Sequence, residues 1–521
     1  VGGGPHALAA LAALHHEAPM EQCGECHARV GLDSPMKVGT VCIIDPGVHF
    51  MQSWNTRFDA LEIAHLRSPA FAHPVAFEPT ALVDFASHEG RQSELIDARV
   101  CGGNWMPTTD LSVAALLKGL PSTALFRDFC SSLEAKLPHR WLSGTATGLD
   151  KDSTTGKFCV HCRTTTDQQE RTVRAHAVIL ATGPAGKWSI PTPFEPYLAA
   201  SRRIVHTEQL VAESESPLGE EITQRCQSES ARVLVIGGGL SAAQAALAAY
   251  RAGHQVTLRS RRPLQTRAFD VPSEWLDVRH ADRLRFEFLS LPMKRRREAI
   301  RETASRGSVP TAYMEDLVRL SQAASALQVE VDEDIDSSHV CVGRDGEDVI
   351  VNGDTFAMVI LATGVEVAPS CSSLYHSVGE LFKAPALDGL PCVNSSLRWL
   401  PGEDVFVLGA NAGLELGPGG GNLIGAMRGA RVVSNELHGL MWKHPDGHKV
   451  EPARRVFLNK YASLLDGSES EIDVLMQRLH LSPKAVLMLR KASTHGKATM
   501  KGARGVCHVH GVRVAGRAVR F

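Results

Sequence analysis

RVLVIGGGLSAAQAALAAYRAGHQVTLRSRR, residues 232–262, reads as strand, glycine turn, helix and strand in unbroken order. VLVI is a short apolar run suited to a strand buried on both faces. Gly237 permits the tight turn, Gly239 lets backbone approach a pyrophosphate, and the small Ala242 lets helix and strand pack closely. A strand followed by such a turn and helix commits the chain to a parallel α/β sheet that binds a dinucleotide at the helix N-terminus. Arg259, Ser260, Arg261 and Arg262 follow the second strand, QVTL. Arginines at that tip accommodate a 2′-phosphate, whereas an acid would bond a free ribose hydroxyl, so this unit is expected to hold NADPH.

A second copy opens the chain. In VGGGPHALAAL, Gly2, Gly4 and Ala7 take the same three roles, with Val1 alone in place of the leading strand. That single residue points to a fragment or an incomplete gene model. VCIIDP, residues 41–46, is an apolar run ending in Asp45, the expected ribose acid. Its distance from the turn exceeds the usual interval of about 20 residues, which requires an insertion. Residues 18–37, broken by Pro19, Gly24, Gly31 and Pro35, supply one. An acid at one tip and cations at the other imply two different dinucleotides, FAD in the first unit and NADPH in the second. AHAVILATGP (175–184) and FAMVILATGV (356–365) are near-duplicates, one apolar strand ending in Ala-Thr-Gly for each unit. DVFVLGANAGLELGPGGGNLIGAMRGARVV (404–433) reads as strand, glycine turn, loop and helix. Gly409 and Asn411 are placed at the flavin ribityl chain, and the helix from about Asn422 faces the pyrimidine ring, where its dipole favours negative charge.

The fold class expected is α/β. Two Rossmann-like dinucleotide-binding domains, the second inserted in the first, precede a basic C-terminal extension. The boundaries expected are 1–210 and 357–443 for the FAD-binding domain, 228–356 for the NADPH-binding domain and 444–521 for the extension. From Leu475 to Phe521 there are ten Lys or Arg and no Asp or Glu, and HGVRVAGRAVRF at the end suits a short strand pair. A formal net charge of −2 over 521 residues gives no sign of a nucleic-acid partner, and no apolar run is long enough to span a bilayer. Twelve scattered cysteines suit reduced thiols inside a cell, so an intracellular, cytoplasmic location is expected, with a targeting peptide left open. CGECH, Cys23–His27, has the spacing of a haem-attachment site or half of a zinc site. Its position in a loop favours two free thiols, and no metal is assigned.

Four stretches carry a family resemblance. VGGGPHAL, including Pro5, resembles the glycine–proline FAD turn of the flavin-dependent N-hydroxylating monooxygenases, the lysine and ornithine hydroxylases of siderophore synthesis. VIGGGLSAAQ, through Ser241, Ala242, Ala243 and Gln244, resembles their NADPH turn. LEIAHLRSP (61–69) and PSTALFRDF (121–129) resemble their leucine–arginine segment and the start of a following helix. The likeness spans roughly residues 1–443. It implies that NADPH reduces FAD, that O2 then gives a flavin C4a-hydroperoxide, and that one oxygen atom passes to a small nucleophilic substrate such as an amine.

This sequence departs from that pattern in three places. Those hydroxylases hold a substrate carboxylate with a lysine, but no lysine lies between Lys37 and Lys118, and the matching stretch offers Arg57. Many carry Asp where Asn411 stands. The FxGxxxH signature of other flavin monooxygenases is missing around His206, with Ala200 and Arg202 in place of Phe and Gly. No catalytic residue is assigned; His65, His73 and His206 are the candidate proton donors, each better suited to a structural or nucleotide-contacting role. Two other readings share both nucleotide units: a pyridine nucleotide–disulfide reductase, which needs a redox cysteine pair beside the flavin, and a nucleotide-binding regulator without turnover.

Overall fold

A computed structural model describes residues 1–16, 41–97 and 119–441, apart from 185, 200, 214–215, 270, 277, 305–306, 324, 333–334, 344–345, 347, 368, 370–371 and 401, and also 507–509 and 512–514. The expected insertion at 18–37, Cys23, Cys26, His27 and most of the C-terminal extension lie outside the described residues. Cys507–Val509 and Val512–Val514 form an antiparallel pair, beginning slightly ahead of the segment expected to pair.

The chain starts with helix α1 (Pro5–His15), then strand β1 (Cys42–Asp45). Strands β2 (Arg140–Lys151), β3 (Phe158–Thr164), β4 (Glu170–Ala175) and β5 (Val178–Leu180) follow. The second unit comprises β6 (Ile204–His206), β7 (Arg232–Ile236), α2 (Leu240–Arg251) and β8 (Gln255–Ser260). It continues through α3 (Met293–Ala304), α4 (Thr311–Ala323), β9 (Leu327–Val331) and β10 (Met358–Leu361). Helix α5 (Ser373–Phe382), strand β11 (Val405–Val407) and helix α6 (Leu423–Met441) return the chain to the first unit.

The second unit is a five-stranded sheet in the order β9-β8-β7-β10-β6, with every pairing parallel. Val233, Leu234, Val235 and Ile236 of β7 are all buried, as a central strand covered on both faces requires. In the first unit β1 runs parallel to β2, and β2, β3 and β4 form an antiparallel meander. Strand β5 runs parallel to β11, although the whole second sheet lies between them in the chain. The second unit is therefore inserted in the first.

Val1 and Gly2 tie the halves of the first unit together. The Gly2 N–H donates to Ile44 O at 2.8 Å and the Ala181 N–H to Val1 O at 2.8 Å. One residue thus stands between β1 and β5, where the leading strand of a dinucleotide fold belongs. Helix α1 is buried from His6 to Leu14, as an Ala/Leu helix that is apolar on all sides demands. It packs on α6, where the Ser434 hydroxyl donates to Ala13 O. Where the chain crosses between units, Lys187–Trp188 pairs antiparallel with Val365–Glu366. His206 stacks on Trp188 at 5.2 Å, bracing this crossover. Among the described residues, no helix is long and apolar enough to cross a membrane.

Candidate cofactor sites

The two glycine turns are built alike. A Cβ on Gly2 would lie 2.2 Å from Ala181 O, and one on Gly237 would lie 2.3 Å from Ala362 O. Both glycines have positive φ, +106° and +155°. Each turn therefore rests on the alanine of its own Ala-Thr-Gly segment, so close that no side chain fits. This contact is the physical reason for the near-duplicate segments at 175–184 and 356–365. Gly4 caps α1 and Gly239 caps α2, both in extended conformation and neither helix with a side-chain cap, so each helix start is free to face an anion. Around Gly4 a Cβ would meet nothing within 4 Å, so ground above the first turn is open. Pro5 stands at the first helical position, where its missing N–H costs nothing. Ala7 and Ala242 are buried between helix and strand, and Ser241 opens α2.

At the first tip, Asp45 accepts the Gly3 N–H at 2.7 Å on Oδ2 and the Gly47 N–H at 2.8 Å on Oδ1. These bonds orient the carboxylate and leave lone pairs for ribose hydroxyls. At the second tip the register is decisive. Gly2 N–H donates to Ile44 O, and Gly237 N–H donates to Arg259 O. Ser260 is therefore the counterpart of Asp45, and Arg259 is the counterpart of Ile44. Successive residues of a strand face opposite ways. Arg259 accordingly turns away from Ser260: its Nε donates to Glu330 Oε2 at 2.9 Å and its side chain is 9% exposed. The Ser260 hydroxyl donates to Arg262 O at 2.7 Å. Arg261 reaches outward, 64% exposed, with Asp336 Oδ2 at 3.4 Å from its NH1.

Asn411, on the turn after β11, is fully buried. Its Nδ2 donates to Gly183 O at 2.8 Å and to the Tyr375 hydroxyl at 2.9 Å. Because a carbonyl can only accept, these partners fix the amide orientation. Asn411 Oδ1 is then a buried acceptor with no protein partner. Asn422 precedes α6 and accepts the Gly425 N–H at 3.1 Å on Oδ1, leaving its Nδ2 as a buried donor with no protein partner. Gly409, in positive φ, opens the turn beneath the His6 ring. Buried polar groups are normally satisfied. An acceptor at the turn and a donor at the helix entrance match a ribityl hydroxyl and a pyrimidine carbonyl, so the residues present fit a flavin.

Sequence reasoning missed three residues here. Tyr375, fully buried on α5, joins Thr182 to Asn411 through its hydroxyl, and burial raises its pKa to about 12. Arg67 donates to the main-chain oxygens of Arg267, Ala268, Phe269 and Ser308 and to the Ser308 hydroxyl, over distances of 2.8–3.3 Å. It clamps the first unit onto the loops beside the second glycine turn, where Gly307 packs on Gly238 and Gly239. The leucine–arginine segment signalled Arg67 without its role. His6, the third, lay unremarked inside the first turn.

The histidine candidates are accounted for differently. His73 is enclosed, with Nε2 on Pro79 O and Nδ1 accepting the Val75 N–H. His206 is enclosed, with Nε2 on Gly364 O and Nδ1 accepting the Glu208 N–H. Burial lowers both to about 4, so both rings are neutral braces. His65 is half-buried and lowered by desolvation. Arg57 is held by Glu208, its NH1 3.0 Å from Oε2.

Residues 100–285 match the family model of the pyridine nucleotide-disulphide oxidoreductases. No curated protein matches the chain in sequence. Among solved structures, it is similar to the cadaverine monooxygenase DfoA of Erwinia amylovora, bound to FAD, with a TM-score of 0.60 and 18% identity over 88% of this chain and 96% of that one. The chain shares the two-unit α/β fold of that structure. The ornithine hydroxylase PvdA of Pseudomonas aeruginosa gives 0.58 at 17% identity, covering 84% of this chain and 97% of that one. KtzI, the ornithine N-hydroxylase of Kutzneria sp. 744 with reduced FAD, NADP+ and L-ornithine, gives 0.57 at 17% identity with the same coverage.

Proposed function

We propose that the protein is an NADPH-dependent FAD monooxygenase acting on a small nucleophilic substrate, an amine in the first instance. The observation that carries this reading is the pair of like-built turns ending in different chemistry, Asp45 at one tip and Ser260 with Arg261 and Arg262 at the other. Asp45 takes the adenosine ribose of FAD. Ser260 leaves room beside Gly238 for the second ribose, and Arg261 and Arg262 take its 2′-phosphate. Arg259, turned toward Glu330, supports the strand end and carries no coenzyme contact in this scheme. Bound FAD supplies electron acceptance from NADPH and activation of O2. The protein aligns the two ligands and keeps water from the reacting ring; Tyr375, Asn411 and Arg67 do this by fixing the cradle and the inter-unit contact.

The amine is favoured because DfoA, PvdA and KtzI act on cadaverine or ornithine. At the place where the resemblance puts a carboxylate-binding lysine, Arg57 is already paired with Glu208. That pairing favours an amine with no carboxylate to anchor. The test is a panel of diamines and diamino acids assayed for hydroxylamine formed per NADPH consumed. Coupled turnover is expected with a diamine. Complete reduction of a disulfide substrate with no oxygen consumption would instead support the disulfide-reductase reading.

A further inference from the structure

His6 sits between Pro5 and Ala7 of the first turn and is 7% exposed. Its ring lies over the Gly409 backbone, where a Cβ would be 3.7 Å from Cδ2. Nε2 is 3.2 Å from Gly421 O. A carbonyl cannot donate, so Nε2 carries the proton. Burial lowers the ring's pKa to about 4, which keeps it neutral at ordinary pH. In the neutral ring Nδ1 is then a bare acceptor, and it is buried with no protein partner.

The nearby Asn411 Oδ1 is in the same condition, a buried acceptor whose orientation is set by other bonds. Two unpartnered acceptors, one on the ring over Gly409 and one two residues beyond it in the chain, call for a ligand that brings two donors. A diphosphate brings only acceptors and would need a protonated ring, which burial opposes. A polyol chain brings hydroxyls. Resting on the flavin reading above, we propose that His6 is a cofactor-selecting residue whose Nδ1 accepts a hydrogen bond from a ribityl hydroxyl of FAD, with Asn411 Oδ1 accepting from another.

The experiment measures dissociation constants of the apoprotein for FAD and for an FAD analogue whose ribityl chain carries no hydroxyls. Wild type is compared with His6→Phe, which keeps the ring, and His6→Gln, which keeps a side-chain acceptor. His6→Phe is expected to weaken FAD roughly tenfold while leaving the analogue unchanged, and His6→Gln to recover most of the loss. Equal weakening of FAD and the analogue, or no weakening of FAD, overturns the assignment of His6 while the flavin site stands. A wild-type protein that takes up neither overturns the flavin reading itself.

Discussion

Asn411 has two amide hydrogens, and both are spent inside the protein, on Gly183 O and the Tyr375 hydroxyl. An aspartate there, common in the enzymes this chain resembles, would set a carboxylate oxygen against the Gly183 carbonyl. Asn411→Asp is therefore expected to destabilise the protein by about 1–3 kcal/mol, read as a lowered thermal midpoint, and to weaken FAD. An unchanged midpoint would show that the amide is not held as described. At the other tip, Arg261→Ala with Arg262→Ala should cut the NADPH-over-NADH preference by about tenfold or more, since charge-assisted bonds to phosphate are worth about 1.5–3 kcal/mol each. Arg259→Ala should leave that ratio intact and lower stability, because it strips Glu330 of its partner. A ratio that follows Arg259 and ignores Arg261 would reverse the assignment. The basic tip was plain in the sequence, but its division of labour was not. It depends on which residue of β8 pairs with Gly237, a register that a one-residue slip would invert.

The elements around the two glycine turns were legible because they answer to local rules. Apolar runs of strand length, glycines at fixed intervals and Ala-rich helices place β7, α2, β8, α1 and β1 where they stand. The duplicate Ala-Thr-Gly segments were legible as a repeat, but their purpose emerges only from the contact of Ala181 with Gly2 and of Ala362 with Gly237. Gly2→Ala and Gly237→Ala should each disrupt one unit selectively. Gly2→Ala is expected to abolish FAD retention, and Gly237→Ala to abolish NADPH binding while FAD stays bound. Equilibrium dialysis of both ligands against both variants checks this, and retained binding in either would mean that the close contact relaxes. The meander of β2, β3 and β4 was less legible, since its place in the first sheet is settled by the pairing of β2 with β1, far away in the chain.

Across the whole molecule, the two units are held by the crossover pairing of 187–188 with 365–366 and by Arg67. The latter could not be read from sequence, because its partners are main-chain carbonyls some two hundred residues away, which leave no signature in residue type. Arg67→Lys keeps the charge but loses the planar fork. It should slow flavin reduction by NADPH with little change in FAD affinity, as stopped-flow reduction and a binding titration would show. Acid should also weaken the assembly. His6, His73 and His206 are each lowered to about 4 from an ordinary 6.5. Above pH 6.5 they are neutral folded or unfolded. As pH falls toward 4 the unfolded chain takes up protons that the folded one refuses, so stability falls by about 1.4 kcal/mol per pH unit for each histidine at most. Denaturant midpoints measured from pH 7 to pH 4 should decline steadily; a flat profile would contradict the buried neutral rings.

The account as a whole stands on two unlike dinucleotides sharing one chain. Its most direct test is to load the purified protein with FAD, remove oxygen, and follow the visible flavin band while NADPH or NADH is added. The account predicts stoichiometric FAD, bleached much faster by NADPH than by NADH, with colour returning on admission of air. A protein that binds no FAD, or one whose bound FAD neither nucleotide bleaches, would contradict it.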